Sequence, residues 1–420
     1  MAFDTGYKKR KLSAGLDFYK PTMSQVEFHN NPDEQVEFTF KNRGKEKLTQ
    51  YVDVEVLQTR LDAYKTGFDD EEIEYLGTLL GQEDKPLFDS EYLEYLRNRE
   101  LPSVNVVIDP ETKDIAITAE GDWPMVTFWE TVVMSEVNEL YFETKIAEEG
   151  LDIMDIYDEG DRRLSDKIEL LKSRPDIKFA DFGTRRRFSY RWHNHVVERL
   201  VNECPGNLLG VSCVELANDH GVDPIGTFAH EMPMVYAALA DSKGKNPLDG
   251  HNEMLRDWHD HYGENLSTAL TDTFGSEFFF TDMTAEQAKQ WKSLRHDSGD
   301  PIDFGNRVIE FYQDKAIDPL DKTIVFSDGL DVDTIVQLAD CFKGRINVVF
   351  GWGTTLTNDL GQKPLNIVMK ATKVNDTDTV KLSDAEGKHT GPQEKVEQYQ
   401  YAVAVALGAV ANKQVIEGIA

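Results

Sequence analysis

The chain has 420 residues, of which 40% are hydrophobic and 10% aromatic, a composition typical of a folded protein with two or three structural units. Its formal net charge of −31 is spread along the chain and excludes nucleic acid and anionic membrane surfaces as general partners. An anionic ligand must therefore be held by a local cluster of cations.

No apolar run approaches the roughly 20 residues needed to span a bilayer. The nearest, 401–411, is short and rich in small residues, which predicts a buried helix. The basic residues 8–11 are not followed by the apolar run of a secretory signal. Cys204, Cys213 and Cys341 are widely spaced and predict reduced thiols rather than disulfides or a zinc site. We therefore expect a cytoplasmic protein without a membrane partner.

The first part of the chain predicts a mixed α+β domain. Apolar and polar side chains alternate over residues 34–40, which predicts a half-buried strand. Two helices and then the two strands of a hairpin are predicted at 71–80, 90–97, 104–108 and 115–119. Ser90 is the expected N-cap of the second helix.

After about residue 140, short apolar runs recur at roughly the 30-residue spacing of βα units, and most precede an amphipathic helix. Seven or eight such units favour a closed barrel over an open sheet, and the chemistry of a barrel lies just beyond the carboxyl ends of its strands. The seven runs are 178–182, 207–211, 224–228, 267–271, 293–296, 323–326 and 346–350.

The last part of the chain predicts a return to the first domain. Two further strands and a helix are expected at 365–370, 379–382 and 395–410. The predicted fold class is therefore α/β: an irregular TIM-like α/β barrel at 141–364, beside an α+β domain formed by 1–140 and completed by about 365–420. The acidic stretch 149–167 predicts a solvated helix face.

Groups suited to phosphate follow two of the predicted strands. Arg185, Arg186 and Arg187 place three guanidinium groups in a row, and such groups bind phosphate or pyrophosphate in a bidentate manner. The alternative is a surface salt-bridge cluster with nearby acidic helices, and we expect at least one of the three arginines to have that role. The sequence Gly-Trp-Gly-Thr-Thr at 351–355 could offer backbone N–H groups to a phosphate, or could simply form a tight turn.

Carboxylates and a histidine follow other predicted strands. Arg295, Asp297 and Asp300 share one loop, and Asp328 ends the next strand. These residues suit ribose hydroxyls, a magnesium ion or both around a polyphosphate, or else form a charged turn. We expect His230 to act as a general base, or as a nucleophile that accepts a phosphoryl group, rather than as a structural histidine.

Taken together, these motifs resemble those of the nicotinate phosphoribosyltransferases. The resemblance runs over nearly the whole chain, from Leu-Asp-Phe-Tyr-Lys at 16–20 to Lys-Leu-Ser-Asp at 381–384. Between these ends it is carried by the segments 181–187, 226–231, 270–275, 295–301 and 364–368. The resemblance implies a type II phosphoribosyltransferase fold in a homodimer with its active sites at the subunit interface. It also implies phosphoribosyl transfer from phosphoribosyl pyrophosphate to nicotinate, with ATP and Mg²⁺ taking part.

The resemblance further implies roles for individual residues. Nicotinate would stack between Phe182 and Tyr19 of the partner subunit, with Thr227, Arg295 and Ser212 at its edge. The ribosyl, pyrophosphate and 5-phosphate groups would meet Arg185, Asp297, Asp328, Gly351, Gly353 and Thr354. His230 would be the phosphorylated histidine, and the other catalytic residues would be Arg295, Asp297 and Glu231.

Two segments depart from the family pattern. Residues 210–213 read Gly-Val-Ser-Cys where Gly-Thr-Ser-Asn is common, and 232–234 read Met-Pro-Met in place of a tryptophan-containing version. Relatives that use nicotinamide place an aspartate at the position of Ser212, so the serine favours nicotinate because no carboxylate repels it. A nicotinamide or quinolinate phosphoribosyltransferase and a non-catalytic sugar-phosphate-binding barrel remain as alternatives.

Overall fold

The computed structural model describes residues 10–385 and 387–408. Basic residues 8 and 9, and the ends of the predicted helices 395–410 and 401–411, lie outside the described residues. Within those residues, no helix is both long and apolar enough to cross a bilayer. The three cysteines are free thiols, as predicted.

Strands and helices alternate through most of the described chain. The strands are β1 (Gln35–Asn42), β2 (Val104–Ile108), β3 (Ile115–Asp122), β4 (Phe179–Asp181), β5 (Leu208–Val211), β6 (Thr268–Leu270), β7 (Ser293–His296), β8 (Thr323–Phe326), β9 (Asn347–Trp352), β10 (Ile367–Val374) and β11 (Thr377–Asp378). The helices are α1 (Tyr19–Asn30), α2 (Val54–Asp62), α3 (Asp70–Thr78), α4 (Ser90–Arg97), α5 (Trp123–Val126), α6 (Trp129–Glu149), α7 (Ile153–Ser173), α8 (Tyr190–Glu203), α9 (Val214–His220), α10 (Glu231–Ser242), α11 (Asp249–Tyr262), α12 (Ser276–Asp282), α13 (Ala285–Gln290), α14 (Pro301–Asp314), α15 (Val332–Phe342), α16 (Thr354–Thr357) and α17 (Gln393–Ala406).

One sheet is antiparallel, with the strand order β11-β10-β1-β3-β2. In β1 the side chains of Val36, Phe38 and Phe40 are buried on one face, as a period of two dictates. Its neighbour β10 comes from the far end of the chain, so that Phe40 pairs with Met369. The first and last parts of the chain therefore share one sheet.

The other sheet is parallel, with the order β5-β4-β9-β8-β7-β6, and most of its strands are followed by a helix. Six of the seven predicted runs form these strands. The predicted α/β fold with an additional α+β domain is confirmed, both by these two sheets and by the solved structures described below. The boundaries predicted at residues 140 and 364 stay predictions.

The strand predicted at 224–228 is wrong. Contact with the sheet is limited to one parallel bridge between Pro224 and Val211, in which Ile225 N–H donates to the carbonyl of Val211. Proline has no N–H to donate to a ladder, and Gly226 lies against the backbone of Tyr19, where an added Cβ would come within 2.6 Å of its nitrogen. Contact with α1 therefore holds this segment beside the sheet as a loop.

Three smaller predictions are also wrong. Asp89 rather than Ser90 caps α4, because its carboxylate accepts from the N–H groups of Glu91 and Tyr92. Of the strand predicted at 379–382, only Thr379 still bonds to β10, and Leu382 N–H donates to the carbonyl of Thr273 on the barrel side. The described part of 401–411 is not buried, since Tyr401 is 61% exposed.

A buried ion cluster joins the first domain to the barrel. The ammonium of Lys20, on α1, is fully buried and lies 2.6 Å from Oε2 of Glu130, on α6, and 2.6 Å from Oε2 of Glu231, the first residue of α10. The other oxygen of Glu231 accepts from the indole N–H of Trp123 at 2.7 Å. Such groups are stable inside a protein only when they are paired. The cluster therefore fixes the positions of three helices.

We expect Lys20→Met to destabilise the protein by about 3–5 kcal/mol, because it leaves two buried carboxylates without their cation. The apparent melting temperature and the denaturant midpoint measure this loss. The matched control is Lys292→Met, which breaks a pair with Glu264 in which both side chains are more than half exposed and should change neither quantity much. A Lys20→Met protein as stable as the wild type would contradict the assignment.

Candidate active site

A cavity of about 510 Å³ opens at the carboxyl ends of the parallel strands. Every strand of that sheet ends at this edge, so residues far apart in sequence meet there. Most predicted site residues line it: Tyr19, Phe182, Arg185, Ser212, Thr227, His230, Glu231, Arg295, Asp297, Asp328, Gly351, Gly353 and Thr354. Residues of the antiparallel sheet, among them Lys370, close the other side.

Two aromatic side chains line this cavity. Phe182 follows β4, and its ring packs on Gly351, where an added Cβ would lie 2.5 Å from two ring carbons. Tyr19 of the same chain lines the cavity as well, and its buried hydroxyl has no hydrogen-bond partner among the described residues. Both predicted rings therefore line the cavity within one chain, whereas the resemblance implied a tyrosine from the partner subunit.

Ser212 sits beside a carboxylate that the sequence did not reveal. Its hydroxyl donates to Oδ1 of Asp17 at 2.6 Å, and Oδ2 of Asp17 lies 3.4 Å from Nε of Arg185. Burial raises the pKa of Asp17, although Arg185 acts in the opposite direction. Ser212 itself carries no carboxylate, as the sequence shows, but it is in direct contact with one from Asp17.

The three consecutive arginines have three different surroundings. Arg185 faces the cavity and contacts Asp17 and Glu130, each at 3.4 Å. Arg186 also lines the cavity and donates to the carbonyl of Ile367 at 2.8 Å. Arg187 is fully buried and donates to the carbonyl of Ala14, so it has a structural role. The salt bridge expected with an acidic surface helix instead joins Arg185 to buried carboxylates.

His230 lies at the centre of a charged cluster. Its Nδ1 is 3.0 Å from the hydroxyl of Thr273, and its Nε2 is 2.9 Å from Oδ2 of Asp297 and 3.4 Å from Oδ1 of Asp272. Nε2 also lies 2.8 Å from the ammonium of Lys381. Burial and this ammonium lower the pKa of His230. A neutral imidazole has a free lone pair, as a nucleophile requires.

Three further predicted carboxylates, those of Glu231, Asp300 and Asp328, differ in whether protein groups already bind their oxygens. Both carboxylate oxygens of Glu231 are bound in the interior, to Lys20 and Trp123. Asp300 caps α14 through the N–H groups of Ile302 and Asp303, so it belongs to the helix rather than to the cavity. Asp328 does line the cavity, and burial together with Asp297 raises its pKa.

The loop predicted at 351–355 begins later than expected. Gly351 and Trp352 lie inside β9, which extends two residues beyond the predicted run. Gly353 then caps the single turn of α16. Both glycines and Thr354 face the cavity, and Gly351 is needed for its lack of a side chain against Phe182.

Two cations to which the sequence assigned no chemistry, Arg43 and Lys370, lie with Arg186 on one side of the cavity. Arg43, Arg186 and Lys370 line the cavity and form no ion pair with any residue that the structure describes. Burial and the neighbouring cations Lys381 and Arg43 lower the pKa of Lys370 to about 7. Burial and Arg185 lower the pKa of Arg186 to about 10. Uncompensated cations of this kind indicate an anion site.

Comparison with known proteins gives the family. Family models of the nicotinate phosphoribosyltransferase (NAPRTase) family and of its N-terminal domain match residues 177–405 and 16–138. The nicotinate phosphoribosyltransferase of Burkholderia mallei is 37% identical over 379 residues, and that of Chromobacterium violaceum 38% over 384 residues. Each alignment covers 89% of this chain and 91% of the relative. The chain belongs to the nicotinate phosphoribosyltransferase family.

Solved structures agree with this assignment. The nicotinate phosphoribosyltransferase of Porphyromonas gingivalis matches with a TM-score of 0.84 and 30% identity, over 94% of this chain and 99% of that one. The enzyme of Vibrio cholerae matches with a TM-score of 0.84 and 29% identity, over 98% of both chains. The two-sheet architecture is therefore that of the family.

The packing of Phe182 on Gly351 can be tested by nicotinate binding. Nicotinate is the first ligand to test because it gives the family its name. Gly351→Ala should displace the ring and weaken nicotinate binding by about tenfold, which corresponds to about 1.4 kcal/mol. Isothermal titration measures this change. Gly206→Ala is the matched control, because nothing lies within 4 Å of its added Cβ. An unchanged affinity of the Gly351→Ala variant for nicotinate would show that the Phe182 ring does not contact this ligand.

Proposed function

We propose that the chain transfers the phosphoribosyl group of phosphoribosyl pyrophosphate to nicotinate, which yields nicotinate mononucleotide for the salvage of NAD. In this proposal ATP phosphorylates His230 and thereby drives the transfer. The observation that carries the proposal is one cavity that is lined both by the rings of Phe182 and Tyr19 and by the charged cluster around His230. The family of the chain supports the same reaction.

Nicotinate would lie between the rings of Phe182 and Tyr19, because a flat pyridine stacks well on aromatic rings. Thr227 and Ser212 would lie at its edge. Arg295 would bind its carboxylate: Nη1 donates to the carbonyl of Phe228, and Nε is buried without a hydrogen-bond partner among the described residues. A buried donor of this kind gains a partner when an anion binds.

Phosphoribosyl pyrophosphate would lie along the strand ends. Arg185 would bind the pyrophosphate, Asp297 and Asp328 the ribose hydroxyls, and residues 351–354 the 5-phosphate. The C1–O bond breaks with its electron pair leaving on pyrophosphate, and the pyridine nitrogen forms the new C1–N bond. The site holds both reactants in line and stabilises the charge on the leaving group. Glu231 would position His230 through its ties to Lys20 and Trp123.

The residues around His230 fit a divalent cation. One ligand atom each from His230, Asp272 and Asp297 lie within 4.8 Å of one another. Oδ1 of Asp272 is buried without a hydrogen-bond partner among the described residues, which is costly unless a cation or donor meets it. Asp272 and Asp297 would hold Mg²⁺, which supplies charge neutralisation for the pyrophosphate.

We infer the cellular location and the oligomeric state of the enzyme from the same reaction and family. A cytoplasmic location suits an enzyme that consumes ATP and phosphoribosyl pyrophosphate. A homodimer with interfacial active sites stays a prediction, since the described residues of one chain already bring Tyr19 and Phe182 to one cavity.

Nicotinamide is the second candidate acceptor, because the carboxylate of Asp17 beside Ser212 could accept from an amide. Competition between equal concentrations of nicotinate and nicotinamide separates the two. We expect nicotinate mononucleotide to dominate the products. If nicotinamide mononucleotide were the main product, nicotinamide rather than nicotinate would be the acceptor.

The role of His230 is tested by product formation from nicotinate, phosphoribosyl pyrophosphate and Mg²⁺, with and without ATP. For the wild type we expect ATP to lower the KM for phosphoribosyl pyrophosphate by about 5–150-fold, the usual range of coupling between sites. In the His230→Ala variant, ATP should no longer lower the KM for phosphoribosyl pyrophosphate. The control His195→Ala, which removes an imidazole paired with Asp161 outside the cavity, should keep this effect of ATP. An ATP effect that survives in His230→Ala would refute the phosphohistidine.

A further inference from the structure

The chain crosses the mouth of the barrel after β11. Within the segment 379–384, here called the crossing segment, Leu382 N–H donates to the carbonyl of Thr273 at 2.7 Å. The carboxylate of Asp384 accepts from the N–H and the hydroxyl of Ser276 at 2.8 and 2.5 Å. Ser383 adopts a φ of 69°, a left-handed conformation that costs free energy in a residue other than glycine. These contacts hold the crossing segment in one place against the barrel loops.

This placement brings Lys381 to His230. Its Nζ lies 2.8 Å from Nε2 of His230 and 3.1 Å from Oδ2 of Asp272, and its side chain is only 8% exposed. An ammonium has three donors, and Asp272 takes one of them. The other side of the imidazole is held by Thr273. Nε2 is therefore the ring nitrogen that faces charged groups, and Lys381 is the cation nearest to it.

We infer that Lys381 is a further catalytic residue, which binds the phosphoryl group carried by His230; this inference rests on the proposed function. The ring proton of the neutral imidazole is on Nδ1, which donates it in a hydrogen bond to the hydroxyl of Thr273. The lone pair of Nε2 forms a bond to the γ-phosphorus of ATP, and the bond from that phosphorus to the bridging oxygen breaks, with its electron pair leaving on ADP. Lys381 gives up no proton in this step. It exchanges its contact with Nε2 for one with the phosphoryl oxygens.

Among the charged protein side chains in contact with His230, the carboxylates outnumber the cations. A phosphoryl group at Nε2 lies beside the carboxylates of Asp272 and Asp297, and like charges at this distance repel one another strongly in a buried site. Among the described residues, no other cation contacts His230. Lys381 therefore reduces the repulsion that would otherwise favour hydrolysis of the phosphohistidine.

A purely structural role is the competing explanation, since Lys381 also ties the crossing segment to Asp272. Lys395 provides the matched control, because its ammonium pairs with Asp241 at 2.5 Å in the same part of the chain but outside the cavity. Lys395→Met breaks a tie of the same kind without touching His230. Phosphorylation of His230 should therefore separate the two variants.

The experiment measures acid-labile phosphoenzyme after incubation with γ-labelled ATP, and then its half-life after ATP is removed. Lys381→Met should lower the phosphoenzyme level and its half-life by at least about tenfold, as expected for the loss of a charged hydrogen bond. Lys381→Arg should recover most of both quantities. Lys395→Met should match the wild type.

The melting temperature of the Lys381→Met variant shows whether it is folded. If it is not, Lys381→Gln tests the loss of the ammonium charge, because the glutamine amide keeps a hydrogen-bond donor for Asp272. A normal level and half-life in either folded variant would overturn the inference. Equal losses in Lys395→Met would overturn it as well, in favour of the structural role. A wild type that takes up no label, or a His230→Ala variant that does, would instead refute the proposed function beneath it.

Discussion

The fold of the cavity depends on the ammonium of Lys20, which is buried where water cannot solvate it. Its partners Glu130 and Glu231 come from two further helices, so α1, α6 and α10 must keep the spacing that brings three charges together. The same two carboxylates reach the cavity. Glu130 also contacts Arg185, and Glu231 immediately follows His230. The ion cluster that joins the domains therefore also places an arginine and the histidine of the site.

Local patterns predicted most of the architecture because the forces behind them are local. The alternation in β1 and the short apolar runs of the barrel reflect which face of each strand is buried. The failures have equally specific causes. At 224–228 a proline and a close contact with Tyr19 override an apolar run, and at 379–382 hydrogen bonds to the barrel loops draw the chain out of the sheet.

The contrast between local patterns and contacts of distant segments also explains which site residues could be predicted from the sequence. Phe182, Arg295 and Asp328 lie directly at strand ends, and parallel strands of one sheet bring their ends to one edge. Arg43 and Lys370 reach the cavity only because β1 pairs with β10 across more than 300 residues of chain. Nothing in the local sequence encodes that pairing. Two features of the sequence point in this direction: Lys41 and Arg43 directly follow the strand predicted at 34–40, and the last part of the chain is predicted to return to the first domain.

The cavity concentrates positive charge in a protein whose net charge is −31. Arg43, Arg186 and Lys370 each have a lowered pKa because burial and, for the latter two, neighbouring cations oppose their charge. The fold thus maintains a repulsion that an anionic ligand would relieve. A ligand that binds only the folded state stabilises it by mass action, so polyphosphate binding and the association of the two domains are thermodynamically linked.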